Sequence, residues 1–152
     1  MRFLTAKGFT LIEIIIIIIV LGIIVAIGFP AYQDLSLEAK KSTCKSSLGQ
    51  LRGGISIFYS NQAARTGVAV WPDIDSLRTI GVVMQMEIPP NPFQDESRAP
   101  DSIVEGITRG VVVGTRGGWA YKPSTGEIWP NTSTTVSGGG CSGPESIDEN
   151  NW

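Results

Sequence analysis

The stretch Phe9–Phe29, FTLIEIIIIIIVLGIIVAIGF, decides how this chain is organised. Sixteen of its 21 residues are Leu, Ile, Val or Phe, and its only formal charge is Glu13. As a helix it would span about 31 Å at ~1.5 Å per residue, close to the ~30 Å hydrocarbon core of a bilayer. On insertion scales the apolar side chains contribute about −5 to −9 kcal/mol, against a cost of about 3 kcal/mol or less for Glu13 near one end. Insertion wins. Ile is a mediocre helix former in water, but in lipid every backbone group has to be satisfied within the helix. The segment is therefore expected to cross a membrane, with Arg2 and Lys7 on the cytoplasmic side. Two simpler readings stand beside this one: a plain single-span anchor, and a secretory signal with Ala26-Ile27-Gly28 as its small-x-small site. Against the signal, the apolar run exceeds the usual ~7–15 residues and a carboxylate interrupts its start.

After Pro30, which ends or bends the span, the pattern changes. Cys44, Leu48, Leu51, Ile55 and Phe58 are spaced four, three, four and three apart, one apolar stripe of an amphipathic helix. Lys41, Lys45, Gln50 and Arg52 fall on other faces. The spacing predicts helix over 31–64, continuing the span through a bend at Pro30. Gly49, Gly53 and Gly54 each weaken it by up to ~1 kcal/mol relative to Ala, unless a neighbouring element comes close there. The stripe needs a cover, and the C-terminal half offers one. Gly110–Thr115 reads as a strand, and Gly118–Lys122 and Glu127–Trp129 as two more across the turn Pro123-Ser124-Thr125-Gly126. A small antiparallel sheet on the helix stripe is expected. Residues 67–109 are Pro-rich and mostly loop, with a short helix near 75–80. The segment 131–152 is rich in Ser, Thr and Gly and poorly specified.

The two cysteines, Cys44 and Cys141, lie far apart. Outside the cytoplasm a disulfide between them is permitted, and it would close a loop worth roughly 4–5 kcal/mol in the chain-entropy model. The other reading is an inert buried Cys44 and an unlinked Cys141.

Charge and composition exclude much. The formal net charge is −2, from 12 basic and 14 acidic side chains. No basic tract is interleaved with aromatics, so nucleic-acid binding by the subunit is not expected. The chain has no His, which removes His-based triads and His metal sites. No CxxC or phosphate-binding glycine loop is present. Asp73/Asp75 and Asp95/Glu96 read as solvated loop carboxylates, and Glu145, Asp148 and Glu149 lack a ligand register for calcium. No enzyme activity, metal or cofactor is expected. Asn131-Thr132-Ser133 fits a glycosylation triplet that chance also supplies.

Lys7-Gly8-Phe9-Thr10-Leu11-Ile12-Glu13, with the apolar run and Gly28-Phe29-Pro30-Ala31-Tyr32 behind it, resembles the class III leader of type IV pilins and type II secretion pseudopilins. The likeness covers residues 1–40 closely. It implies that a prepilin peptidase cuts between Gly8 and Phe9 and methylates the new amino terminus of Phe9. The side-chain charge then falls to −4 with the loss of Arg2 and Lys7. It implies that the helix serves first as a membrane anchor and then as a filament core. Phe9 and Glu13 are four apart, on one face of a helix, so Glu13 of one subunit is expected to meet the Phe9 amine of the next and set register. Between Gly22 and Pro30 the resemblance implies a stretch able to lose helicity in the filament.

The resemblance also implies an α+β, pilin-like fold: a long N-terminal helix, half membrane-spanning and half amphipathic, packed on a small antiparallel β-sheet. The expected organisation is a leader over 1–8, removed on maturation, and a transmembrane and filament-core helix over 9–30. An amphipathic continuation over 31–66 leads to a head of loops and sheet over 67–131 and a flexible polar tail over 132–152. The implied function is a structural subunit of a type IV pilus. A type II secretion pseudopilin is the alternative and a single-span anchored binding domain a further one. The implied partners are copies of the chain in a helical homopolymer, the prepilin peptidase, membrane lipid before assembly, an inner-membrane platform protein and, indirectly, an assembly ATPase. The implied location is the inner membrane with a cytoplasmic N-terminus, then an extracellular pilus or a periplasmic pseudopilus.

Overall fold

The computed structural model describes residues 9–132, 134–136, 145–147 and 152. Helix α1 is Leu11–Thr66, 56 residues that include both Gly22 and Pro30. The chain divides into two compact units, Met1–Ala39 and Lys40–Trp152. In the first unit, every Leu, Ile, Val and Phe from Phe9 to Phe29 is exposed. Leu11–Phe29 is long and apolar enough to cross a membrane.

In the second unit α1 has an inside and an outside. Cys44, Leu48, Leu51 and Ile55 are all buried, the stripe that the four-and-three spacing predicts, while Phe58 is half-buried. Their core partners are Leu77, Ile103, Trp119, Tyr121 and Ile128. Fully burying an aliphatic side chain is worth about 1.5–3 kcal/mol, so these contacts are what hold the head to this half of the helix. Helix α2, Ile74–Arg78, supplies Leu77. Asp73 caps it by accepting the Ser76 N–H at 2.8 Å, and these hydrogen bonds from Ser76 hold the Asp73 carboxyl below its ordinary range. Arg78 Nη2 donates to Ile103 O at 2.6 Å, tying α2 to the sheet.

The sheet has three strands in the order β1-β2-β3: Ile103–Glu105, Trp119–Lys122 and Glu127–Pro130. β2 and β3 are antiparallel, with Trp119 opposite Pro130 and Lys122 opposite Glu127, as expected from the turn between them. β1 runs parallel to β2, with Ile103 opposite Trp119. The sheet is therefore mixed rather than wholly antiparallel, and the expected strand over Gly110–Thr115 is absent. The two corrections have one cause. A parallel pair needs a long connection, and 106–118 is that connection. Gly110 and Gly114 sit at φ of 80° and 64°, which breaks an extended run. The backbone between them bonds to side chains instead of a ladder. Val113 N donates to Asn131 Oδ1 at 2.6 Å, Asn131 Nδ2 returns to Val113 O at 2.9 Å, and Trp129 Nε1 donates to Val111 O at 3.1 Å.

Within the stretch expected to be a flexible tail, β4 (Thr134–Val136) pairs antiparallel with β5 (Glu145–Ile147). At these six residues the expectation is corrected. The two Thr and one Val of β4 suit a ladder, a signal that the Ser/Gly-rich composition around them conceals.

The sheet's buried aromatics anchor the loops. Trp119 Nε1 donates to Pro89 O at 2.7 Å, and Tyr121 Oη to Pro72 O at 2.8 Å. With Trp129 on Val111, three apolar bodies each carry one polar handle to a different loop. Burial pushes the Tyr121 hydroxyl up to about 12, the nearby Asp73 charge adding to it. The unfolded chain then loses this proton near pH 10 and the folded chain only near 12. Stability from the group is complete below pH 10 and declines through 10–12. The Tyr121→Phe variant should show a shallower loss of stability than the parent across that window, measured by denaturant melts of the full chain in detergent.

The three α1 glycines separate. A Cβ on Gly54 would lie 2.5 Å from Met84 Sδ and 3.2 Å from Val83 O, whereas Gly49 and Gly53 face open space. Gly54 lets the 83–84 loop close on the helix. Gly53→Ala is expected to stabilise the head by about 0.5–1 kcal/mol and Gly54→Ala to destabilise it, read from the same melts.

Candidate functional site

The candidate site is the start and flank of the apolar segment of α1. Thr10 closes the helix: its Oγ1 accepts the Glu13 N–H at 3.3 Å, and its carbonyl accepts Glu13 N at 3.2 Å and Ile14 N at 3.4 Å. Thr10-Leu11-Ile12-Glu13 is the capping-box pattern, a Ser/Thr cap with Glu three residues on. Glu13 also lies in the first turn, where the exposed N–H groups of the helix favour a carboxylate. Sequence reasoning overlooked Thr10, although the pattern was legible. The bonds to Thr10 are made by the backbone N–H of Glu13, and its carboxylate stands in the first turn beside them.

The placement of Phe9 is a correction. The helix begins at Leu11, so Phe9 precedes the first turn and does not share a helix face with Glu13. Both side chains are exposed. Gly8 and Cys141 lie outside the described residues. Cys44 is buried, with Sγ 3.8 Å from Asn91 Oδ1. Gly22 and Pro30 are helical here.

Beyond the cap, the chemistry of this segment is its all-round hydrophobicity. Exposed apolar side chains such as Ile18 at 59 % and Ile24 at 60 % exposure occur on every side of Leu11–Phe29. A helix apolar on all faces is stable only inside something apolar. Covering sixteen such side chains is worth on the order of tens of kcal/mol. Lipid and a bundle of like helices both meet that demand.

Among the described residues no cluster of metal-ligating side chains occurs. The glycosylation triplet is closed off at its acceptor. Asn131 is 2 % exposed, and its Nδ2 already donates to Val113 O, Arg116 O and Gly117 O. Its amide builds the fold. Asn91, which sequence reasoning did not single out, acts alike: Nδ2 donates to Gly118 O at 2.8 Å and Thr132 Oγ1 at 3.1 Å, and Oδ1 accepts Phe93 N at 3.0 Å.

Comparison with known proteins points the same way as the helix. The chain is 41 % identical over 66 residues to the fimbrial protein EcpC of Eikenella corrodens, covering 43 % of this chain and 39 % of that one. It is 29 % identical over 89 residues to PilA5, the major component of a type IV narrow pilus of Thermus thermophilus, covering 49 % of this chain and 77 % of that one. With the type IV major fimbrial protein FimA of Dichelobacter nodosus it shares 43 % over 49 residues, covering 32 % and 31 %. The chain thus spans well under half the length of two of these three relatives. No family model matches it, and no solved structure matches it significantly. The long apolar helix followed by a small mixed sheet is an α+β arrangement consistent with the pilin fold, and the chain is similar to type IV pilins over about a third to a half of its length. Their names are those of two fimbrial proteins and a major pilus component.

Replacing Thr10 with Ala removes the cap. Amide exchange at Glu13 and Ile14 in detergent micelles should rise about fivefold, the equivalent of ~1 kcal/mol.

Proposed function

We propose that this chain is a structural subunit of a type IV pilus, processed by a prepilin peptidase between Gly8 and Phe9 and polymerised through α1. The observation that carries this reading is the stretch Leu11–Phe29, exposed on every face, capped by Thr10 and carrying one carboxylate in its first turn. The names of its relatives support it: a fimbrial protein, a narrow-pilus component and a major fimbrial protein.

In this account the chain waits in the inner membrane with its N-terminus cytoplasmic, shielded by lipid. Cleavage leaves an α-amine on Phe9, which the same peptidase methylates. Phe9 lies ahead of the capped turn, so its cationic end is free to reach Glu13 of a neighbouring copy. Each charge would otherwise be buried alone, and the pair sets axial register more than it adds net stability. Leaving the bilayer forfeits lipid burial, which contact with like helices offsets. A platform protein and an assembly ATPase acting through it supply direction. Between Gly22 and Pro30 the helix has little to lose by opening in the filament, since both residues are poor helix formers.

The test is the mature protein isolated from its native host. Edman sequencing should begin at N-methylated Phe9, and sheared surface filaments should contain the chain. Gln also suits the third position of a capping box, so Glu13→Gln keeps the helix start and removes the charge. That variant should be cleaved normally and give at least tenfold fewer filaments. A mature chain beginning elsewhere defeats the processing step. Normal filament yield from cleaved Glu13→Gln defeats the register role. A deletion strain that keeps its surface filaments and loses protein secretion assigns the chain to a type II secretion pseudopilus instead.

A further inference from the structure

The run Gly110-Val111-Val112-Val113-Gly114 has the composition of a strand but, among the described residues, no strand beside it. Its backbone nevertheless passes from Val111 to Val113 without a bend, between glycines at φ of 80° and 64°. In an extended chain the polar groups of successive residues point to opposite sides. Those of Val111 and Val113 are taken up on the sheet side. Trp129 Nε1 donates to Val111 O at 3.1 Å, Val113 N donates to Asn131 Oδ1 at 2.6 Å, and Asn131 Nδ2 donates to Val113 O at 2.9 Å. Val112 is the residue between. Among the described residues neither its N–H nor its C=O is hydrogen-bonded, and it is 38 % exposed.

Val112 therefore offers one donor and one acceptor side by side on an open, aliphatic edge, the kind of edge that templates another strand. The run holds no Lys or Pro to guard it. Beside it lies an open cavity of about 430 Å³, lined by Glu105, the exposed Ile107, Thr108 and the run itself. What complements this edge is the same edge. Gly-Val-Val-Val-Gly reads identically in both directions, with Val112 at its centre. In an antiparallel ladder two directly opposite residues exchange both of their N–H···O=C bonds, and a twofold axis between them relates two like chains. Two copies meeting about Val112 satisfy both open groups at once, with Val111 of each opposite Val113 of the other. Charge favours the same sense of pairing. Counting outward from Val112, Arg109 falls level with Thr115 of the second copy and Arg116 with Thr108. A parallel pair in register would set each arginine against itself.

The geometry points to an interaction surface in the head: the run 110–114 is a self-complementary edge that pairs antiparallel with the same run of a second copy of this chain, joining two heads through the backbone of Val112. Two hydrogen bonds and a few aliphatic side chains are less than a stable dimer of free chains requires. The contact forms where copies are held at high local density, as on a membrane or along a polymer. It uses neither Glu13 nor cleavage at Gly8, and so does not rest on the pilus reading.

The test uses the full chain at high density in phosphatidylcholine vesicles, some copies carrying a donor fluorophore and others an acceptor. Energy transfer between copies should fall about threefold in Val112→Lys and in Val112→Glu taken singly, because each sets like charges face to face at the axis. Mixing the two variants sets Lys against Glu and should restore the transfer of the unaltered chain. Near-ultraviolet circular dichroism of the buried tryptophans checks that each variant is folded. Transfer that neither substitution lowers overturns the contact. A mixture as low as either variant alone means that some other chain fills the edge, and overturns the twofold pairing. Should the variants not fold, hydrogen exchange in the unaltered chain decides. The Val112 amide should exchange about fivefold more slowly in crowded vesicles than in dilute ones, while the Val113 amide, already bonded to Asn131, keeps its rate. A Val112 rate indifferent to density overturns the proposal. No arm needs a cleaved chain or a filament, so this contact and the pilus reading stand or fall separately.

Discussion

The structure turns on a single constraint: water can solvate one side of a helix but not a column of Ile, Leu, Val and Phe facing every direction. α1 obeys two versions of that rule along its length. From Leu11 to Phe29 no side is polar, and the helix needs an apolar surrounding supplied from outside the chain. From Cys44 to Ile55 the apolar residues fall into one stripe, and the chain supplies the surrounding itself from α2 and the sheet. Which partner a segment needs follows from how its apolar residues are distributed around the helix, and in this chain both kinds of segment lie in one element.

The head is small, and its strands are only three or four residues long. So few ladder bonds would not by themselves organise the long connections between them. Buried side chains complete the work. Trp119, Tyr121 and Trp129 each hold a loop carbonyl, while Asn91 and Asn131 satisfy backbone groups where no strand lies alongside. Buried polar groups without partners are costly, so these contacts specify one arrangement of the loops more than they strengthen it. Gly54 adds the steric counterpart by letting Val83 and Met84 come against α1.

Much of this was legible in the chain itself. The membrane-length run, the stripe from Cys44 to Ile55, the β2–β3 hairpin around Pro123–Gly126 and a short helix near Leu77 all follow from local periodicity and turn chemistry. What escaped was non-local. Ile103–Glu105 is too short to announce a strand, and its parallel pairing depends on a partner beyond an irregular loop. The run Val111-Val112-Val113 looked like a strand, but two glycines at positive φ and the amide of Asn131 give its backbone another solution. The β4–β5 ladder was hidden by the composition around it. The Thr10–Glu13 cap was local and readable; attention to the charge of Glu13 obscured its place in the first turn. The role of Asn91 depends on contacts with Gly118 and Thr132, tens of positions away, which no window of sequence contains.

The hydroxyl of Thr10 has a consequence for chemistry at the Gly8–Phe9 junction. The first turn of α1 closes on Thr10, downstream of Phe9. Proteases accept their substrates as extended backbone, with amides unspoken for, and cannot thread a closed helical turn. A peptidase working at that junction would meet Phe9 before the coil begins, with no hydrogen bond of the rod to unzip. The newly freed amine would then leave the first helical turn as firmly closed as it was before the cut.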